Sequence, residues 1–75
     1  MKEAKLVKDI EKFVLDTLAS GKYPGLRYNT HVPLRVNLPL IMKELSELKT
    51  LEGKGVAFMD EGVYEGQRVI RIYFP

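Results

Sequence analysis

Seventy-five residues, 45% of them hydrophobic and 29% charged, describe one small globular domain over residues 1–75, with no room for a second and no compositional sign of disorder. The chain has no cysteine, which removes disulfides, thiolate metal ligands and cysteine nucleophiles together. Its formal charge of +2 is unevenly spread: residues 1–36 carry seven Lys/Arg against four Asp/Glu, a net of +3, and residues 37–75 carry five against six, a net of −1.

Lys2–Ala19 reads as an amphipathic helix. Leu6, Ile10, Phe13, Thr17 and Leu18 follow the helical repeat, and Val7 and Val14 widen the apolar stripe on one flank. The stripe is broad for a core this small. Val7, Val14, Leu15 and Leu18 are therefore expected to meet the same helix of a second subunit, making a homodimer, unless Leu26–Val36 covers that flank. Lys5, Lys8 and Lys12 line the opposite side. Asp9 and Asp16 stand four residues after Lys5 and Lys12, which favours a solvated face with local ion pairs over a phosphate-facing one. Ser20-Gly21 stops the helix, and Lys22-Tyr23-Pro24-Gly25 is a turn by composition.

From Leu26 the period changes to two: Leu26, Tyr28, Thr30, Val32, Leu34 and Val36 alternate with Arg27, Asn29, His31, Pro33 and Arg35. Two readings stand side by side. Either Leu26–Thr30 is a strand followed by a very short helix or turn over His31–Val36, which gives a winged helix with a degenerate helix 2, or the whole stretch is one bent strand with Pro33 at an edge or bulge, which gives a plain αβαββ sandwich.

Asn37 is a good N-cap and Pro39 falls in a first turn, where its missing N–H costs nothing. Leu38, Ile41, Met42, Leu45 and Leu48 then share one side of a helix expected to run to about Leu51. Lys43, Ser46, Glu47 and Thr50 lie opposite that seam. Glu52-Gly53-Lys54-Gly55 is a flexible stop. Val56–Asp60 and Gln67–Phe74 alternate as strands around a glycine-containing loop, Glu61–Gly66, so the chain predicts a helix, a strand and a second helix followed by a ribbon.

No catalytic constellation is legible. His31 is the single histidine, Ser20 and Ser46 lack a base in any motif, and no phosphate-binding glycine loop is present. Asp60, Glu61 and Glu65 lack the spacing of a calcium loop. The expectation is a protein that is not an enzyme and needs neither metal nor cofactor. No apolar run approaches a membrane span and no secretory leader is visible, so a cytoplasmic protein without membrane contact is expected.

The capped helix at Asn37, the Leu45/Leu48 seam, the glycine stop and the strand–turn–strand ending Arg71-Ile72-Tyr73-Phe74 resemble the recognition helix and wing of winged helix-turn-helix DNA-binding proteins. The resemblance is carried mainly by residues 37–75. It implies an α+β, winged-helix-like domain of helix, strand, short helix, helix and β-hairpin, with a three-stranded antiparallel sheet. It also implies a small transcriptional regulator whose partner is double-stranded DNA, the helix entering the major groove and the wing touching flanking backbone. On that resemblance Lys43, Ser46, Glu47 and Thr50 would sit at base edges or nearby phosphates, and Arg27, Arg35, Lys54 and Arg68 would contact phosphate. Asp60, Glu61 and Glu65 at the wing depart from the family's basic tip and would be repelled by a DNA backbone. Two other readings stay open: a protein–protein interaction module of the same fold, anchored by Tyr64, and a sequence-nonspecific nucleic-acid binder that uses the sheet and the lysine stripe.

Overall fold

The computed structural model describes residues 2–75. In chain order they form α1 (Lys2–Ser20), β1 (Arg27–Val32), α2 (Leu38–Ser46), a 3-10 turn (Lys49–Leu51), β2 (Ala57–Tyr64) and β3 (Gln67–Tyr73). The strands pair in the order β1-β3-β2, and both contacts of β3 are antiparallel. β1 and β2 therefore run parallel with β3 between them, and α2 lies in the crossover that joins them. The described residues thus make a small α+β domain of two helices on a three-stranded antiparallel sheet.

Alternation along β3 sorts the two faces of the sheet. Ile70, Ile72 and Phe74 point toward the helices and are buried with Val14, Val32, Ile41 and Leu45. Fully burying a side chain of this size stabilises by roughly 1.5–3 kcal/mol, which is how such a thin slab holds together. The other face, carrying Arg71 and Tyr73, is covered by no helix. Pairing continues beyond the strands: the Phe74 N–H donates to the Leu26 carbonyl at 3.0 Å, and the Gly25 N–H to the Pro75 carbonyl at 3.3 Å.

The stretch after Leu26 resolves into a strand through Val32 followed by a turn over residues 33–36, closed by the Val36 N–H on the Pro33 carbonyl at 3.3 Å. No helix forms between β1 and α2. The Asn37 carboxamide oxygen accepts the Leu40 N–H at 3.2 Å and begins α2 as its sequence suggests.

α2 ends at Ser46, five residues short of the expected Leu51. At 3.6 residues per turn a continued helix would carry Leu51 about a third of a turn off the seam formed by Leu38, Ile41 and Leu45. Leu48 turns extended instead (φ −66°, ψ 117°), and the 3-10 turn brings Leu51 into the core at 7% exposure. The chain then leaves through Gly55, whose φ of +76° suits glycine. A Cβ there would also stand 3.2 Å from Pro75.

β2 is longer than expected. It continues through a bulge between Asp60 and Gly62 to Tyr64, which pairs with Gln67. The loop shrinks to Glu65-Gly66, both at positive φ (52° and 79°), the pattern of a two-residue type I′ hairpin turn.

Candidate nucleic-acid interface

The residues expected to meet DNA do not form one surface. Lys43 and Ser46 lie on the exposed flank of α2 and Glu47 is its C-cap. Arg35 is exposed in the turn before α2, and Lys54 is exposed in the glycine segment after the 3-10 turn. These five residues border the helical layer. Arg27 stands on the far side of the sheet, its guanidinium 4.9 Å from the centre of the Tyr73 ring. It cannot reach a duplex docked on α2.

Two of the four supposed base-reading side chains are already engaged. The Ser46 hydroxyl donates to the Lys43 carbonyl one turn back, at 2.7 Å. The Thr50 hydroxyl, on the 3-10 turn rather than on a helix, donates to the Glu11 carboxylate of α1. Among the described residues, the side chains of Lys43 and Glu47 make no hydrogen bond or ion pair.

Charge pairing separates the lysines further. Among the described residues, Lys5–Asp9 at 2.9 Å and Lys12–Asp16 at 2.7 Å are i,i+4 ion pairs on α1. The Asp16 carboxylate beside Lys12 holds that ammonium above its ordinary pKa. Lys5 and Lys12 are thus neutralised locally, whereas Lys8, exposed on the same stripe, takes part in no ion pair among the described residues. Among the described residues, Arg35, Lys43, Lys49 and Lys54 take part in no ion pair, which leaves their charge to act on a ligand.

The acidic hairpin also changes character. The Asp60 carboxylate accepts the Gly62 N–H at 2.8 Å and so stabilises the bulge. Glu61 faces the open side of the sheet, 3.3 Å from Arg71 Nε, which itself donates to Asn29 Oδ1 at 2.9 Å. Glu65 is the carboxylate left at the tip. Arg68 lies beside it on the core side of the ribbon, opposite Val32 and Val63. Its Nε is buried without a hydrogen-bond partner among the described residues, the sort of donor that a ligand oxygen would satisfy.

The network of Arg27, Asn29, Glu61, Arg71 and Tyr73 on the bare face of the sheet was not foreseen as a unit. Period-two alternation places Arg27 and Asn29 on one face of β1, and Arg71 and Tyr73 on one face of β3. Only the order of the strands brings the two sets together. A second feature missed is a groove of about 650 Å³ between the end of α2 and the edge of β2, with Met42, Leu48, Val56 and Phe58 among its apolar walls.

The flank expected to meet a second subunit is filled from within. Val7 and Val14 are buried in the core of their own subunit, and Leu15 and Leu18 are half-buried against it, on the side of α1 from which Glu11 reaches Thr50. Exposed apolar side chains lie elsewhere, at Tyr28, Leu34, Met59, Val63 and Tyr64.

Among the described residues no three His, Cys, Asp or Glu gather as metal ligands, and no helix is long and apolar enough to cross a membrane. No family model matches the chain, and neither does any curated protein or solved structure with which it was compared.

Proposed function

We propose that this chain is a winged-helix-like domain that binds duplex DNA through the outer flank of α2, as a small transcriptional regulator does. The observation that carries the reading is that flank: Lys43, Ser46 and Glu47 are exposed, and the cations around them, Arg35, Lys43 and Lys54, are free of carboxylate partners among the described residues. Strand pairing supports it in part: a strand after the first helix pairs with the later ribbon, although the short helix expected before α2 is absent. With Glu61 paired to Arg71, the charge conflict at the wing reduces to Asp60, which bonds only a neutral backbone N–H, and Glu65. Lys43 and Arg35 then make the principal phosphate or base contacts, Arg68 reaches backbone from the wing, and Arg27 makes none.

Fluorescence anisotropy of a labelled random-sequence duplex, titrated with the full chain at two salt concentrations, tests the reading. Binding should weaken steeply with salt, and Lys43→Ala should lower the salt slope by about one phosphate contact. Arg27→Ala should bind like the parent chain. Absence of binding at low salt removes the proposal. Losses from Arg27→Ala equal to those from Lys43→Ala would move the interface to the open face of the sheet.

A protein-docking role is the second reading. It is favoured by Val63 and Tyr64, 57% and 64% exposed beside the hairpin turn, where an aromatic anchor would be accessible to a partner.

A further inference from the structure

The sheet has two free edges, and they differ. The β2 edge is interrupted by the bulge at Asp60–Gly62, by a φ of +88° at Gly62, and by Asp60 and Glu61. Bulges and edge charges are the devices that keep one sheet from pairing with another. β1 has no bulge and no carboxylate. It is six residues in unbroken register, with one charged residue, Arg27, whose guanidinium is folded over Tyr73 on the open face. Because the Phe74 N–H is spent on the Leu26 carbonyl, alternation assigns Tyr28, Thr30 and Val32 to β3. The N–H and C=O groups of Arg27, Asn29 and His31 are then directed at the free edge.

Beside that edge runs a groove of about 290 Å³ between α1 and β1, with Leu6, Ile10, Phe13 and Tyr28 in its walls. Leu6 and Phe13 are only half-buried, and Tyr28, stacked 4.4 Å from Phe13, is 43% exposed. We propose that a second copy of this chain covers this edge and groove, β1 pairing antiparallel with β1 of its partner so that two three-stranded sheets become one of six strands.

Charge complementarity identifies the occupant. Helical spacing puts Lys5, Asp9, Lys12 and Asp16 on the flank of α1 next to Leu6 and Phe13, and Asp9 lines the groove. Read backwards, that row is its own complement. Around a twofold axis Lys5 of one copy meets Asp16 of the other, and Asp9 meets Lys12. The same axis passing through Thr30 sets Tyr28, the exposed side chain of the pair, opposite the second copy's Val32, which stays in its own core, and Asn29 against its His31 on the open side. One operation therefore satisfies the strand, the apolar groove and the charged row, as an isologous interface requires. The inference stands apart from the DNA-binding reading and uses neither α2 nor the hairpin.

Sedimentation equilibrium of the full chain, with three sets of variants, tests it. The parent chain should be a dimer. His31→Pro removes an edge N–H that is not bonded to β3, so it should give a monomer with an unchanged circular dichroism spectrum. Asp9→Lys and Lys12→Asp each set like charges across the axis and should weaken dimerisation by about tenfold, and the double variant should restore it. Restoration is the telling result, because within one chain the double exchange breaks both ion pairs, leaving Lys5 beside a second lysine and Asp16 beside a second aspartate. If His31→Pro fails to fold, the charge exchange decides alone. A parent chain that stays monomeric at its solubility limit overturns the proposal, and so does a dimer indifferent to the charge exchange.

Discussion

The Glu3 carboxylate accepts the backbone N–H of Asn37 at 3.0 Å, so the first turn of α1 satisfies the peptide group at which α2 begins. Asn37 itself caps α2 through its side chain. Two helices far apart in sequence are thereby joined at their first turns.

This contact has a pH signature. The hydrogen bond from Asn37, followed by a second backbone N–H, holds the Glu3 carboxyl below its ordinary value of 4.5. A lowered folded-state pKa means that the contribution is present above the unfolded value and is lost as pH falls through the folded one. The carboxyl lies at the surface, where solvent screens it, so the effect on stability is small. An NMR titration of the Glu3 side chain should give a midpoint below 4.5 in the parent chain. A midpoint at or above that ordinary value would show that the Asn37 contact does not form.

The hairpin turn carries a residue that its geometry disfavours. Glu65 has a φ of +52°, where asparagine is at ease and glutamate is not. Glu65→Asn should raise stability by roughly 0.5 kcal/mol in urea unfolding. Because it also removes one of the two carboxylates of the wing that have no cationic partner among the described residues, it should tighten duplex binding. Tighter folding with unchanged DNA affinity would separate the turn chemistry from the proposed interface.

The core is small and each large side chain in it counts. Ile41 is completely buried in the cluster shared by α1 and the sheet, and Ile41→Ala should cost about 2–5 kcal/mol. In a 75-residue domain that approaches the whole margin of stability, so the variant should be largely unfolded at modest urea. A midpoint close to the parent's would mean that this side chain packs less tightly than its burial implies.

On the bare face of the sheet Arg71 links Asn29 of β1 to Glu61 of β2. Arg71→Ala should destabilise by about 0.5–1.5 kcal/mol, discounted because both charged partners are about a third exposed. Its loss should also quicken amide exchange at the Asp60–Gly62 bulge, and unchanged exchange there would show that Arg71 does not brace it.

Much of the fold was legible from local pattern. The helical repeat marked α1 and the start of α2. Asn37 and Pro39 announced the second helix, and alternation marked β1 and β3, because burial of one face writes a period into the chain. Other features were not local. The end of α2 at Ser46 follows from where Leu51 must go, a demand that comes from the core and not from helix propensity. The loop expected over Glu61–Gly66 is mostly strand, because β3 offers partners as far as Gln67 that no reading of residues 61–64 could supply.

For the candidate site the division is similar. Period put Lys43, Ser46, Glu47 and Thr50 on the outer flank of one helix; Lys43 and Ser46 are there, Glu47 is the C-cap and Thr50 stands on the 3-10 turn. Composition by itself treated Arg27 and Arg35 as equals, and Asp60, Glu61 and Glu65 as one acidic cluster. Strand order set Arg27 over Tyr73 on the opposite face, tied Glu61 to Arg71, and turned Val7 and Val14 inward. Periodicity states which residues share a face of one element. Which face meets which, and hence which charges remain free, depends on contacts between residues distant in sequence, and only the folded chain closes those.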